Sequence, residues 1–453
     1  MKKFINPLIN SGIISTGLIL AACNSGSSDT QVANQELADR VTKKTGTTHL
    51  AANHPFPQAA NISYHLADGT DAIYPTTRNN ADVSAFYDYW KNNYIISAGT
   101  SNGQSLYRVK FGKSGSNANT TVSEGQGYGM IFTVMMAGYD ENARNLFDGL
   151  FRYVKAHPSP NNNRLMSWRQ PKDPDNDSSA FDGDADIALG LILAAEQWGS
   201  NGAINYLAEA ENIIAGIQES TIGEDSYLPM LGDWVGQNGH PPYDESHTQW
   251  TPRSSDFMLE NFHSFAAISN NPEYWNRVIN NSHIVIDYMQ ENYSPITGLL
   301  PDFIVGTNLN DFAPAYIGFL EGKDDGNYAY NAGRDPWRLG VDALLNNDFS
   351  SLAETRRMSY WMQNSTANNP LNIHAGYYLN GDALLDESKD YFTAFFAAPY
   401  GVAAMTGGAP QQQWLNNIYE RIKNRHEDYY EDSITMFSLL IMTGNYWGVN
   451  TFH

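Results

Sequence analysis

From about residue 81 onward, apolar residues recur at spacings of three and four, the period of an amphipathic helix. Segments with this pattern fall near 81–95, 125–139, 141–157, 184–198, 203–218, 255–269, 272–292, 332–346, 348–363, 390–405, 410–425 and 431–443, twelve in all. Short links follow the second, fourth, sixth, eighth and tenth segments, at Asp140, "GSNG", "NNP", "NDF" and "TGGAP". Long loops, about 96–123, 158–183, 219–254, 293–331 and 364–389, precede those same segments. The two sets also differ in composition. Segments after long loops are rich in Gly, Ala and Met ("GYGMIFTVMMAGY", "DIALGLILAAEQW", "AFFAAPYGVAAM"), whereas those after short links are amphipathic ("ENARNLFDGLFRYVKAH", "WLNNIYERIKNRH"). A helix apolar all round is buried, and an amphipathic one faces water on one side. Six such pairs predict an all-α fold, a closed double ring or (α/α)6 barrel, with long loops at the mouth where the inner helices begin. Function tends to sit on loops carried by a rigid scaffold. The competing architecture is an open solenoid of helix pairs, against which no repeat of about 30–45 residues is visible. "SLYRVKF", ahead of Ser123, is a candidate strand.

The first 22 residues, "MKKFINPLINSGIISTGLILAA", have a basic start, a short apolar stretch and a small-residue end, the layout of a secretory signal. The apolar part is too short for a membrane span, which needs about 20 residues. It runs into "LAAC", which resembles the bacterial lipoprotein box, so Cys23, the single cysteine of the chain, is the expected lipidation site. Residues 23–60 are polar and poorly periodic and read as a tether, with the folded domain over 61–453. The expected location is extracytoplasmic, with a monomer held at a membrane or cell surface by its lipid alone.

Removing Lys2 and Lys3 from the 27 basic residues leaves 25 against 49 acidic ones, a net charge of −24. Such a chain will not bind nucleic acid through its phosphates. The charge suits a polycationic partner, or solubility alone.

Candidate chemistry stands where long loops meet inner helices. "SEGQGYGM" (123–130), "FDGDADIA" and "LEGKDDGNYAYNAGRDPWRLG" each place carboxylates at the predicted mouth. Two carboxyl groups across a groove, one protonated and one ionised, are what hydrolysis of a glycosidic bond requires. Ser123 and Gln126 match a capping box, and Glu124 in the first turn suits the helix dipole, so capping is the plain reading of this motif. Gly125, Gly127 and Gly129 do not fit it, because a cap needs no glycine inside the helix, whereas close approach of a backbone or ligand does. They are expected to thin an inner helix and leave space for a ligand beside Glu124. Asp182, Asp184 and Asp186 exceed what capping needs. Asp173, Asp175 and Asp177 alternate as in a calcium loop, but Ser178 stands where such a loop turns on glycine and Asp184 where it ends in Glu. The 11 histidines show no metal-binding spacing, and neither a metal nor another cofactor is expected.

Four blocks taken together resemble glycoside hydrolase family 8, in the right order over roughly 80–445. They are "SEGQGYGM", "LMSWRQ" (165–170), the pattern over Ala180–Trp198 and "NAGRDPWRLG" (331–340). Phe181 and Gly190 depart from the usual residues of the third block. The resemblance implies an (α/α)6 barrel, inversion at the anomeric carbon, Glu124 as general acid and Asp182 as support for the distorted sugar at the cleavage point. Many members carry the general base as Asp at the position of Asn331, which cannot accept a proton from water. In another branch a Glu in the preceding loop is the base, and Glu321 resembles it, with Asp324 and Asp325 as rivals. The acid and base are then expected roughly 6.5–9.5 Å apart. Glu124 must stay protonated, through burial or through Asp182, and Glu321 ionised, through solvent or Arg334. Tyr330, Asn331 and Arg334 are implied water and sugar contacts, and Tyr430 or Tyr429 is expected to reach the same centre. Trp168, Trp234 and Trp250 lie in long loops as candidate sugar platforms, Trp168 foremost.

The expected activity is an endo-acting β-1,4-glycanase on a polysaccharide. Charge favours chitosan, a polycation, over cellulose or β-1,3-1,4-glucan on the same scaffold. Loss of the usual Asp at Asn331 would alternatively mark an inactive sugar-binding lipoprotein.

Overall fold

Twelve helices of the computed structural model follow the hydrophobic pattern: α1 Asn80–Tyr94, α2 Ser123–Met135, α3 Ala143–Ala156, α4 Phe181–Trp198, α5 Tyr206–Ser220, α6 Leu259–Ile268, α7 Pro272–Asn292, α8 Asp335–Leu345, α9 Phe349–Ser365, α10 Ala394–Ala404, α11 Gln412–Ile422 and α12 Tyr429–Met442. A five-residue helix, Gly115–Asn119, precedes α2. The structure describes residues 51–172, 177–237, 246–385 and 390–452. The signal, Cys23, most of the tether, and Asp173 and Asp175 of the calcium-like run fall outside them. No helix among the described residues is long and apolar enough to cross a membrane.

The even-numbered helices form the inner ring. Each packs on the next from α2 round to α12, and the ring closes where Phe132 of α2 meets Phe437 of α12 at 4.5 Å between centroids. That closing contact rules out an open solenoid. Each odd-numbered helix backs an inner one, α1 lying on α12 and α3 on α2. Burial follows the predicted division: all 13 residues of α2 are buried, but only 8 of the 14 in α3.

The loops at the mouth carry short antiparallel pairs. Ile95–Ser101 pairs with Gln104–Val109, so "SLYRVKF" is indeed a strand, and Ile304–Asn308 pairs with Asp311–Pro314 in a hairpin the periodicity does not show. Thr121–Val122 pairs with Arg169–Gln170, which brings two of the four motif blocks together before α2 begins. A separate apolar cluster, Met230, Leu231, Val235, Phe303, Ala315 and Phe319, fastens the loops around Glu321.

The boundary of the folded unit differs from expectation: it is Ala52–His453, not 61–453. Phe56 is buried, its amide donating to the Ala137 carbonyl at 2.7 Å, and Gln58 N donates to Asn445 Oδ1 at 2.8 Å. The segment lacks periodicity because it binds through backbone groups at helix ends and not as a helix.

Candidate active site

Close contact between the starts of α2 and α4 positions the first two carboxylates. A Cβ on Gly183 would stand 2.1 Å from Ser123 Oγ and 2.7 Å from Glu124 N, so only glycine permits this approach. Glu124 and Asp182 therefore project side by side. The same packing explains the glycines of α2: a Cβ on Gly125 would meet Tyr429 Oη at 2.8 Å, and one on Gly127 would meet Asp186 Cβ at 2.7 Å. They admit neighbouring protein atoms, correcting the expectation that they leave room for a ligand. The capping box is likewise absent. Val122 is the N-cap, with no side-chain cap bond, and Gln126 Oε1 accepts from Val109 N at 2.7 Å.

Arg334, 1% exposed, is the hub. Its Nη1 donates to Glu124 Oε1 at 2.6 Å and to Asp182 Oδ2 at 2.9 Å, and its Nη2 to Ser255 Oγ at 2.7 Å and Asn331 Oδ1 at 3.2 Å. Tyr128 Oη also donates to Glu124 Oε1, at 2.8 Å, and Tyr429 Oη donates to Oε2 at 3.4 Å. Tyr430 lies beneath the guanidinium, 5.9 Å from ring centroid to Arg334 Cζ, and stacks on Phe395. Both tyrosines thus reach the centre, Tyr429 touching the carboxylate.

Arg253 is a second cation that the motifs did not reveal. Its Nη2 lies 2.8 Å from both Asp182 Oδ2 and Asp256 Oδ1. The signal was available: "TPRSSDF" is where the third long loop meets an inner helix, the position rule that picks out Glu124 and Asp182. The predicted helix 255–269 begins late because Ser254–Asp256 form a 3-10 turn whose side chains face the cluster. Asp302, also missed, accepts from the amides of Ala329 and Ala332 at 3.0 and 2.7 Å, shaping the turn that presents Asn331.

Glu321 comes to the same network from the loop. Its Oε2 accepts from Asn331 Nδ2 at 3.0 Å, while Asn331 Oδ1 receives Arg334 and, at 3.4 Å, Arg253 Nη1. Glu124 and Glu321 are therefore joined through Arg334 and Asn331. Asn331, in place of the carboxylate many family members carry, orients Glu321 here. Of the rivals, Asp325 is engaged in holding the loop, accepting from the amides of Leu320, Glu321 and Gly322 at 2.8, 3.1 and 2.8 Å. Asp324 lines a neighbouring groove with Tyr378 and Leu385.

The environments of the carboxyl groups differ. Burial raises the Glu124 pKa, Arg334 opposes it, and the negative charge of Asp182 adds to the rise. Burial also works against charge on Asp182, but Arg253 and Arg334 outweigh it and hold its carboxyl well below the usual range. Glu321 is exposed at its side chain yet crowded by protein around its carboxylate. The crowding raises its pKa, against the pull of Arg253 and the Asn331 hydrogen bond. Arg253, more than the expected Arg334, supports the charge on Glu321.

Trp168 is tied to the site through its backbone: its carbonyl accepts from Ser123 N at 2.9 Å and its amide donates to Ser178 O at 2.8 Å. Its partly exposed indole therefore stands beside the start of α2. Tyr330 stacks on Phe395 and its hydroxyl meets that of Tyr391, forming part of the groove wall. Trp234 lies apart, against His247 and the loop cluster, and Trp250 packs against the core; neither is joined to the carboxylates by a described contact. Of the described members of the calcium-like run, Asp177 pairs with Lys172 at 3.7 Å and buried Asp184 accepts from Met166 N at 2.8 Å.

A closed ring of helix pairs, with acidic side chains in unlike environments at its mouth, is the architecture of an O-glycosyl hydrolase. Residues 72–444 match the family model described as Glycosyl hydrolases family 8, and the chain belongs to that family, whose members invert the anomeric centre. It is 40% identical, over 88% of its length and 92% of the relative's, to a "Beta-glucanase" of Niallia circulans. It is 36% identical, over 87% and 81% of the two lengths, to an "Endoglucanase" of Bacillus sp. (strain KSM-330). Among solved structures, the apo β-1,3-1,4-glucanase from Paenibacillus sp. X4 matches with a TM-score of 0.79 at 40% identity, over 88% of this chain and all of that one.

Proposed function

We infer that this endo-glycanase is a β-glucanase cleaving β-1,3-1,4-glucan and related β-1,4-linked glucans, with Glu124 as general acid and Glu321 as general base. The observation that carries the assignment is the unlike hydrogen bonding of the two groups. Glu124 Oε1 accepts from both Arg334 and Tyr128 at short range, whereas Oε2 has only the long 3.4 Å contact from Tyr429, so Oε2 is the oxygen suited to carry the acid proton toward a leaving group. Glu321 has one oxygen held by Asn331 and a side chain open to water, which suits a base that draws a proton from the attacking solvent molecule. Asp182, kept ionised by two arginines, stabilises positive charge developing on the sugar ring. Trp168, Tyr330 and Tyr430 supply aromatic surface for sugar rings.

The names of the relatives, which denote glucanases at up to 40% identity, support this choice of substrate. The charge argument for chitosan loses force at the centre, because Arg253 and Arg334 offset Asp182 and the base. Reducing-end release from barley glucan, carboxymethylcellulose and chitosan tests this. Barley glucan should give the highest kcat/KM; chitosan ranking first would restore the polycation reading, and no release from any would favour a binding protein. Glu124→Gln and Glu321→Gln should each lose about 10²–10⁴-fold in kcat, and proton NMR should show the inverted anomer first. If Asp324→Asn is the inactive variant instead, the base is misassigned. The "LAAC" segment supports lipid anchoring at Cys23 outside the cytoplasm. Cys23→Ser should move the protein from the membrane fraction to the soluble one.

A further inference from the structure

The loop that carries Glu321 and the turn over 376–384 display apolar side chains that add nothing to the core. Ile317, Tyr378 and Leu385 are 79%, 50% and 64% exposed. Single exposed apolar residues are ordinary, but several gathered at one place mark a binding surface. All three line one groove, which has a volume of about 690 Å³, within the roughly 300–1,000 Å³ of small-ligand sites. Lys323, Asp324 and Asn327 line it as well. Glu124, Asp182, Glu321 and Arg334 do not, so the groove lies outside the catalytic centre.

Both walls are tied down at the backbone. In the first, Gly318 N donates to Gly322 O at 2.7 Å, and a Cβ on Gly326 would stand 2.1 Å from Ala315 O, so the chain closes tightly on itself there. The carboxylate of Asp325 gathers the amides of Leu320, Glu321 and Gly322 in the same loop. In the second, Tyr328 and Tyr377 exchange amide–carbonyl bonds at 3.0 and 2.9 Å. Tyr378 N donates to Asp382 O at 2.8 Å, and Leu384 N donates to Gly376 O at 3.0 Å. None of these contacts uses the side chain of Ile317 or Tyr378. A groove preformed in this way binds without first ordering its loops. It is also continuous with the active site. Asp302 N donates to Asn327 O at 2.8 Å, while Asp302 Oδ1 accepts from the turn that presents Asn331.

The mixture of groups selects the occupant. A pyranose ring offers an apolar C–H face and a rim of hydroxyls that both donate and accept. Tyr378 and Ile317 suit the face. On the rim, an ammonium such as that of Lys323 donates, a carboxylate such as that of Asp324 accepts, and an amide such as that of Asn327 does both. Lys323 and Asp324 offset each other, so the groove favours a neutral chain over a polyanion or a polycation. A glucan polymer cut beside Glu321 extends beyond the cleft, and the groove is the adjoining surface on the same loop.

We propose that this groove is a second carbohydrate site, which holds a neutral β-glucan chain outside the catalytic cleft and so tightens the grip on polymers but not on short oligosaccharides. The identity of the polymer rests on the β-glucanase reading.

Tyr378→Ala and Ile317→Ser, each in the full-length chain, test the groove through exposed side chains, and an unchanged Tm shows both to be folded. KM for barley glucan should rise about three- to tenfold with kcat nearly constant. For a β-1,3-1,4-linked tetrasaccharide, which has no chain to spare for a second site, kcat/KM should stay within about twofold. Binding is read without turnover by electrophoresis of Glu124→Gln through native gels containing barley glucan. Adding Tyr378→Ala should weaken the retardation, with an apparent Kd raised about threefold or more. Equal retardation of the two proteins overturns the proposal, and so do equal losses on polymer and tetrasaccharide. A dimer in sedimentation velocity that Tyr378→Ala dissociates would also overturn it, because the face would then belong to a second copy of the chain. Failure of the β-glucanase reading is a different result: the unsubstituted chain releases no sugar from any glucan, and the gel still decides the groove.

Discussion

Tyr128→Phe is the substitution that most directly tests the acid assignment. The Tyr128 hydroxyl donates to Glu124 Oε1 at 2.8 Å, both groups are buried, and Arg334 Nη1 donates to the same oxygen at 2.6 Å. Removing the hydroxyl therefore costs Glu124 one donor without leaving the oxygen unpaired. A hydrogen bond to a charged acceptor is worth about 1.5–3 kcal/mol and one between neutral groups about 0.5–1.5 kcal/mol. The ionised form of Glu124 thus loses about 1–1.5 kcal/mol more than the protonated form. At 1.36 kcal/mol per unit, its pKa rises by about one pH unit. A general acid must be protonated to act, so its loss of the proton produces the basic limb of the kcat/KM profile, which reports the free enzyme. That limb should move about one unit to the alkaline side, with plateau activity within about tenfold of the parent. The assay is initial-rate reducing-end release from soluble barley glucan across pH, with protein integrity checked at each point. A basic limb that stays in place, or moves toward acid, would show that the titrating acid is not the carboxyl group held by Tyr128.

Three further outcomes follow from other contacts. Gly183→Ala forces a Cβ to 2.1 Å from Ser123 Oγ, an overpacking cost of about 1–3 kcal/mol that lowers Tm in calorimetry and, by displacing Glu124, lowers kcat as well. Asp325→Asn deprives the Glu321 loop of one of three backbone contacts, so kcat should fall about tenfold while Tm stays nearly constant, as kinetics and thermal unfolding together will show. Burial raises the Glu260 pKa to about 8. A carboxyl raised in the folded state stays favourable below its unfolded value and destabilises the fold as pH climbs through the interval between the two. Glu260→Gln should therefore match the parent near pH 4.5 and exceed it by on the order of a few kcal/mol at pH 8 and above, as denaturant unfolding at the two pH values measures.

The helical ring was legible because periodicity and composition are local properties. An all-apolar α2 and a one-sided α3 announce their layers without reference to any partner, and alternating loop lengths place the mouth. Glu124, Asp182, Asn331 and Arg334 were found because each sits beside a loop–helix junction or within a motif block. Arg253 and Asp302 were not, since an arginine or aspartate in a long loop has no period, and its meaning comes from the residue it meets across the barrel.

What the sequence determined by itself is the scaffold and the set of acidic groups at one end of it, because burial of a helix face depends on the side chains of that helix. What only the tertiary structure decided is the job of each group. It made the glycines of α2 contact surfaces for Tyr429 and Asp186, turned Asn331 into the holder of Glu321, and gave Asp325 to the loop backbone. Protonation and orientation depend on neighbours a few ångströms away, and those neighbours lie up to 305 positions away along the chain, as Tyr429 does from Glu124.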